Sequence, residues 1–142
     1  FMADSVRVPT STVSLISLNI TFRTELSETG EPIINREFIN DIYEKAASGA
    51  QKDLLIYSEE QNVSSDLVGC QAAVVIEGHE NHTRTGFLPL ASETLREYGI
   101  ETNQDINLPV THAKIFGWYD NEFGNYVNCL GKLTVYVDKN MI

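Results

Sequence analysis

The side chains able to do chemistry are few and scattered. The two cysteines, Cys70 and Cys129, are separated by 58 residues. Neither belongs to a CxxC pair, so a zinc site is unsupported. Two scattered thiols also read as reduced cysteines of a cytosolic protein more readily than as one disulfide. Among the three histidines, His79 and His82 sit with Glu77 and Glu80 in EGHENH. One helical turn could gather these onto a metal ion, but Gly78 and the polar surroundings mark a loop tip. The H-E-x-x-H pattern is absent, so no metal is expected. His112 stands where a strand begins and reads as a structural residue. Arg7, in RVPT, carries a permanent charge on a fixed fork of donors; taken alone, it reads as a surface arginine paired with a carboxylate. The run Tyr119-Asp120-Asn121-Glu122 offers a cap, an amide that both donates and accepts, and a carboxylate. No GxGxxG occurs, so the glycine cradle of a dinucleotide-binding fold is missing.

Such groups need a framework. The chain has 142 residues, 42% of them hydrophobic, enough for one domain with a core of its own. Net charge is −10, from 20 acidic and 10 basic residues. A surface of that sign repels phosphate backbones and anionic lipid, which argues against nucleic acid and membranes as partners. No apolar run approaches the roughly 20 residues that span a bilayer. The start, FMADS, lacks both an initiator at position 1 and the basic and apolar regions of a signal peptide. It reads as the continuation of a longer chain. The N-x-S/T matches at Asn19, Asn62 and Asn81 then read as chance.

Residues 5–22 are rich in Val, Ile, Leu, Thr and Ser. Ser14, Ile16, Leu18 and Ile20 alternate with Val13, Leu15, Ser17 and Asn19, predicting a strand entered after Pro9 with one face buried. A polar loop, TELSETGEP, follows. Asn35 is placed to cap a helix with Glu37 in its first turn, Phe38, Ile39, Ile42, Tyr43, Ala46 and Ala47 at helical spacing, and Gly49 as its stop. LLIY and AAVVI read as short buried strands. Residues 77–110 are expected to be largely an irregular excursion holding one short helix, SETLREYG, capped by Ser92 and closed by Gly99. AKIFGWY reads as a strand, after which Asp120 is expected to cap a helix bearing Phe123, Val127, Leu130, Thr134 and Val137. LTVYV alone would suit a strand, and the 4-3-4-3 spacing decides for helix. The fold class expected is α+β, a mixed or antiparallel sheet with helices on one face, forming one domain over residues 1–142.

Three stretches carry more than this pattern: SVRVPTSTVSLISL from Ser5, VSSDLVG from Val63 and WYDNEFG from Trp118. Together, in this order, they resemble the C-terminal part of the catalytic domain of glyceraldehyde-3-phosphate dehydrogenases. The resemblance covers most of the chain, apart from extra residues within 77–110. It implies a partial catalytic domain whose sheet packs in a homotetramer, in a cytoplasmic enzyme of glycolysis. In that chemistry a cysteine thiolate attacks the aldehyde, hydride passes to NAD, and inorganic phosphate displaces the acyl group, with a histidine as base.

Carried onto this chain, the resemblance makes Arg7 the arginine that binds the phosphates of substrate or attacking phosphate. Asn121 matches the asparagine that contacts the nicotinamide carboxamide, with Tyr119 and Glu122 lining or bracing that site. The family often has tyrosine after WYDNEFG, where this chain has Asn125, expected to be solvated. The nucleophile's S-C-T-T-N stretch and the base histidine precede this region in the family. Neither Cys70, in VGCQA, nor Cys129, in VNCLG, stands in such a context. Catalysis therefore requires the missing N-terminal half, and the chain alone is expected to be inactive. NADP in place of NAD, and erythrose 4-phosphate in place of glyceraldehyde 3-phosphate, stay open. A non-catalytic interaction module built on the same fold is the alternative.

Overall fold

In a computed structural model of the chain, residues 2–4 and 9–141 are described. Alternating side chains build two long strands, β2 (Ser14–Arg23) and β6 (Ile106–Tyr119). They pair antiparallel from Ser14 opposite Tyr119 to Arg23 opposite Val110. β1 (Met2–Asp4) adds antiparallel to the outer edge of β2. Along the other edge of β6 lie β4 (Val74–Glu77) near its end and β5 (His82–Leu90) over its first part. β3 (Leu55–Ser58) runs parallel to β4 and completes the sheet. The order is β1-β2-β6-β4-β3, with β5 also on β6. One parallel pair in an antiparallel sheet makes the sheet mixed, and the fold is α+β as expected.

The side-chain period of two sorts β2 and β6 onto two faces. Leu18, Ile20 and Phe22 of β2 turn to the same side as Ala113 and Ile115 of β6, and join Leu55 and Ile76 in the core. Across that face lies α1 (Arg36–Ser48), with Ile39 buried against the sheet. Its start follows the expected chemistry: the Asn35 side chain accepts from the Phe38 N–H at 2.9 Å. Gly49 ends it. Arg36 and Asn40 then tie α1 to the β4–β5 turn, each donating to the Gly78 carbonyl. Asn81 relays this anchor to β6, donating to Asn40 at 3.0 Å and accepting from the Phe116 N–H at 2.9 Å.

Residues 77–110 depart most from expectation. They form β5, α2 (Ser92–Glu97) and the first part of β6, a hairpin arm rather than an irregular loop. Thr83, Arg84, Thr85, Gly86 and Pro89 give β5 no apolar alternation, so its strand form comes from its partner. Cross-strand pairing supplies it, including a 2.7 Å bond between the hydroxyls of Thr85 and Thr111. Ser92 does not cap α2. It is the first helical residue after Ala91, and its N–H donates to Asp105 Oδ1 at 2.9 Å. Gly99, at φ 78°, closes the segment as expected. His112 lies within β6 rather than at its start, exposed and 3.2 Å from the Thr21 hydroxyl across the pair.

LTVYV is helical, within α3 (Asn125–Asn140). That helix begins at Asn125, not directly after Asp120. Val127, Leu130, Leu133, Tyr136 and Val137 are exposed along it. Among the described residues no helix is long and apolar enough to cross a membrane.

Candidate functional site

Between the last residue of β6, Tyr119, and the first of α3, Asn125, the chain turns sharply around one buried carboxylate. Asp120 is 1% exposed. Its Oδ1 accepts from the N–H groups of Glu122, at 2.9 Å, and Phe123, at 3.0 Å. Its Oδ2 accepts from the Gly69 N–H at 2.8 Å. Burial by itself would raise the Asp120 pKa; donation from Phe123, Gly69 and Glu122 outweighs it and holds the carboxyl below its ordinary value of 3.8. Asp120 was expected to cap α3. It instead pins the turn before the helix, because it directly follows the strand, five residues ahead of the helix, and its Oδ1 accepts from two and three residues onward.

Asn125 is the second anchor. Expected to be solvated, it is 1% exposed. Its Oδ1 accepts from the Asp120 N–H at 3.0 Å, and its amide donates to the Ala73 carbonyl. A short polar side chain satisfies both groups where water cannot reach. Asn128, one turn along α3, donates to the Gln71 carbonyl at 2.9 Å. Gly124 packs so closely on the Cys70 carbonyl that a Cβ there would collide with backbone. No other side chain fits at that approach.

VSSDLVG and WYDNEFG, far apart in sequence, are thus one unit. Ser64–Leu67 form a 3₁₀ turn, with Asp66 Oδ2 accepting from the Val63 N–H at 2.8 Å. Gly69, at φ 77°, then aims its N–H at Asp120. The third stretch meets them through register, since Ser14 lies opposite Tyr119. The chain therefore enters β2 beside the turn, through Val13 at φ 67°, a strained angle for a β-branched residue. Arg7 lies outside the described residues.

The structure gathers Tyr119, Asn121 and Glu122 on the turn. Asn121 and Glu122 are exposed and Tyr119 is half-buried, its ring centroid 6.1 Å from that of Tyr126. Asp120 and Asn125 hold the scaffold from below. The signal that could have identified them is an Asp and an Asn bracketing NEFG, a spacing suited to closing a turn with side-chain bonds. Cys70 and Cys129 are half-buried free thiols. His79 lies on the β4–β5 turn, and His82 opens β5 with Nδ1 3.0 Å from the Glu80 carbonyl. Among the described residues no three metal-binding side chains converge.

Over residues 1–92 the chain matches the family described as glyceraldehyde 3-phosphate dehydrogenase, C-terminal domain. Glyceraldehyde-3-phosphate dehydrogenase 1 of Streptomyces avermitilis is 32% identical over 135 residues, 95% of this chain and 30% of that protein. The glyceraldehyde-3-phosphate dehydrogenase of Kitasatospora aureofaciens is 31% identical over 121 residues, 85% of this chain and 26% of that protein. Glyceraldehyde-3-phosphate dehydrogenase 1 of Bacillus cereus is 30% identical over 133 residues, 94% of this chain and 30% of that protein. The chain thus spans less than a third of the length of these relatives. The family match takes in RVPT and VSSDLVG, and the alignment to the first of these relatives is too long to omit WYDNEFG. Both the motifs locked around Asp120 and the matched span lead to one conclusion: the chain belongs to the C-terminal domain family of the glyceraldehyde 3-phosphate dehydrogenases, a family of oxidoreductases.

Proposed function

We propose that the chain is a partial catalytic domain, residues 1–142, of a phosphorylating, NAD-dependent glyceraldehyde-3-phosphate dehydrogenase of glycolysis, cytoplasmic and homotetrameric. The observation that carries this reading is the rigid turn that leaves Asn121 exposed above a buried, hydrogen-bonded Asp120. A side-chain amide held on such a turn can donate to and accept from a carboxamide, so it fits the nicotinamide end of NAD. NAD, when bound, supplies the hydride acceptor. The rest of the dinucleotide needs a phosphate cradle that the sequence lacks.

In this reading Asn121 orients the nicotinamide ring, with Tyr119 and Glu122 bracing the turn. Arg7 binds the phosphate of the sugar-phosphate substrate or of inorganic phosphate. The nucleophilic cysteine and base histidine come from the N-terminal half of the polypeptide. The exposed apolar residues of α3 support that partnership, since a 16-residue helix that carries Val127, Val135, Val137, two tyrosines and Gly131 is not stable without packing. The chain alone is inactive: aldehyde, NAD and phosphate added to it yield no NADH. Turnover by the pure chain would overturn this part of the reading. In the full-length protein, Asn121→Ala is expected to lower kcat/KM for NAD by ~10-fold or more, on the scale of a lost cofactor hydrogen bond. An unchanged value removes Asn121 from the cofactor site.

Asn125 favours a second reading, a non-catalytic interaction module. Its side chain is committed to the Asp120 N–H and the Ala73 carbonyl, so it makes no contact of the kind a family tyrosine would make. A full-length protein that carries the cysteine yet shows no turnover would establish the module.

A further inference from the structure

The hairpin arm built from β5, α2 and the first residues of β6 carries apolar surface that neither the core nor the turn around Asp120 uses. β6 runs without a break from Ile106 to Tyr119. Its pairing with β2 ends at Val110, and residues 106–109 pair with β5. Because side chains alternate, register settles which face each arm residue joins. Thr83 and Thr85 lie opposite Ala113 and Thr111 on the core side, and Phe87 follows them there. Leu88 and Leu90, opposite Leu108 and Ile106, take the other side, which farther along β6 carries Phe116 and Trp118, with Leu15 beside them on β2. Leu88 is 49% exposed and Ile106 42%, while Leu90 and Leu108 are half-buried. Arg84, His112 and Lys114 stand between the two apolar groups on this face.

Three observations say what covers the arm. The face that Leu88 and Ile106 join is the one opposite α1, against which a neighbouring subunit packs in the homotetrameric reading, so a copy seated there meets the arm through the same strand. The N-terminal half of the same polypeptide is needed elsewhere: at the rise of a strand, Ile106 stands roughly 40 Å from Tyr119 and the turn which that half has to reach. Growth of the sheet through the free edge of β5 is disfavoured, since Pro89 has no N–H to donate, which leaves the face as the contact. The family match ends at residue 92, where α2 begins, so the second strand of the arm lies beyond it. We propose that Leu88, Leu90, Ile106 and Leu108 form a contact between two copies of the full-length protein, the arm of one subunit packing against its neighbour on the face opposite α1. The proposal rests on the homotetrameric reading and adds to it an arm outside the matched span.

Sedimentation velocity of the full-length protein tests the contact. Wild type is expected to sediment as a tetramer. The double variant Leu88→Asp/Ile106→Asp puts two carboxylates into the contact, and is expected to raise the dissociation constant of the tetramer ~100-fold or more, releasing dimers. Phe87→Asp, an equally polar change at the neighbouring position but on the side of α1, is expected to leave the assembly intact. All three residues are exposed, so the variants are expected to keep the fold, with far-UV circular dichroism as the check. If the double variant is unfolded, Leu88→Ala takes its place, with a rise of ~10-fold expected. A tetramer unmoved by the folded Leu88 variant, or weakened as much by Phe87→Asp, would overturn the arm contact while the homotetrameric reading stands. A wild-type protein that is monomeric at every concentration would overturn both.

Discussion

At the scale of single residues, Asp120 governs the local order. Its carboxylate accepts three backbone N–H groups, from Gly69, Glu122 and Phe123, and so couples two segments about fifty residues apart. Because these bonds lower its folded pKa, they stabilise the fold in full above the ordinary carboxylate range. The contribution is lost as pH falls through that range toward the lowered folded value. The difference in Tm between wild type and Asp120→Asn, followed by circular dichroism, is therefore expected to be largest near neutrality and to shrink below about pH 4. A difference that does not change with pH would show that the charge on Asp120 contributes nothing. Asn125→Ala leaves the Asp120 N–H and the Ala73 carbonyl buried without partners, and is expected to cost roughly 1–3 kcal/mol in urea unfolding. Gly124→Ala, which would drive a Cβ into the Cys70 carbonyl, is expected to cost a similar amount, about 1–3 kcal/mol. These residues explain why sequence reading misjudged the scaffold of the turn. Asn121 and Glu122 are recognisable by type and motif, whereas burial of Asp120 and Asn125 depends on residues 69–73 folding over them.

At the scale of elements, the sheet is unevenly supported. Ile115, 5% exposed in the central strand, packs in the core with Ile39 and Leu55. Ile115→Ala is expected to cost about 2–5 kcal/mol, the range for emptying a well-packed core site. Leu130→Ala, on a helix whose apolar side is exposed, is expected to leave the Tm of the chain within experimental error. The same change in the full-length protein should destabilise it if α3 packs there, and equal insensitivity in both would mean that α3 has no partner. α1 was fully legible because cap, period and stop agree within one short segment. β5 was not, since its residues favour no strand until β6 lies alongside.

At the scale of the molecule, the chain belongs to the C-terminal domain family of the glyceraldehyde 3-phosphate dehydrogenases and spans less than a third of the length of the relatives it matches. Joining the N-terminal half is expected to be necessary for any turnover. In such an active protein, Arg7→Ala is expected to raise the KM for inorganic phosphate by ~10-fold or more, as loss of a charged phosphate contact would. An unchanged phosphate response would count against Arg7 as the anion ligand.

What the sequence by itself determined is whatever depends on neighbours in the chain. That includes the 13 residues of α1 with their Asn35 cap, the strand state of β2, whose apolar face is however only half-buried, the helical state of residues 133–137, and the motifs that mark the family. Local hydrogen bonds and side-chain period suffice for these. Tertiary structure alone decided the pairing of β5 with β6, the start of α3 at Asn125, and the burial of Asp120, Asn125 and Glu77. Each of these rests on partners distant in sequence. A polar side chain is driven inside only when a remote segment supplies its hydrogen bonds, and no local pattern encodes that supply.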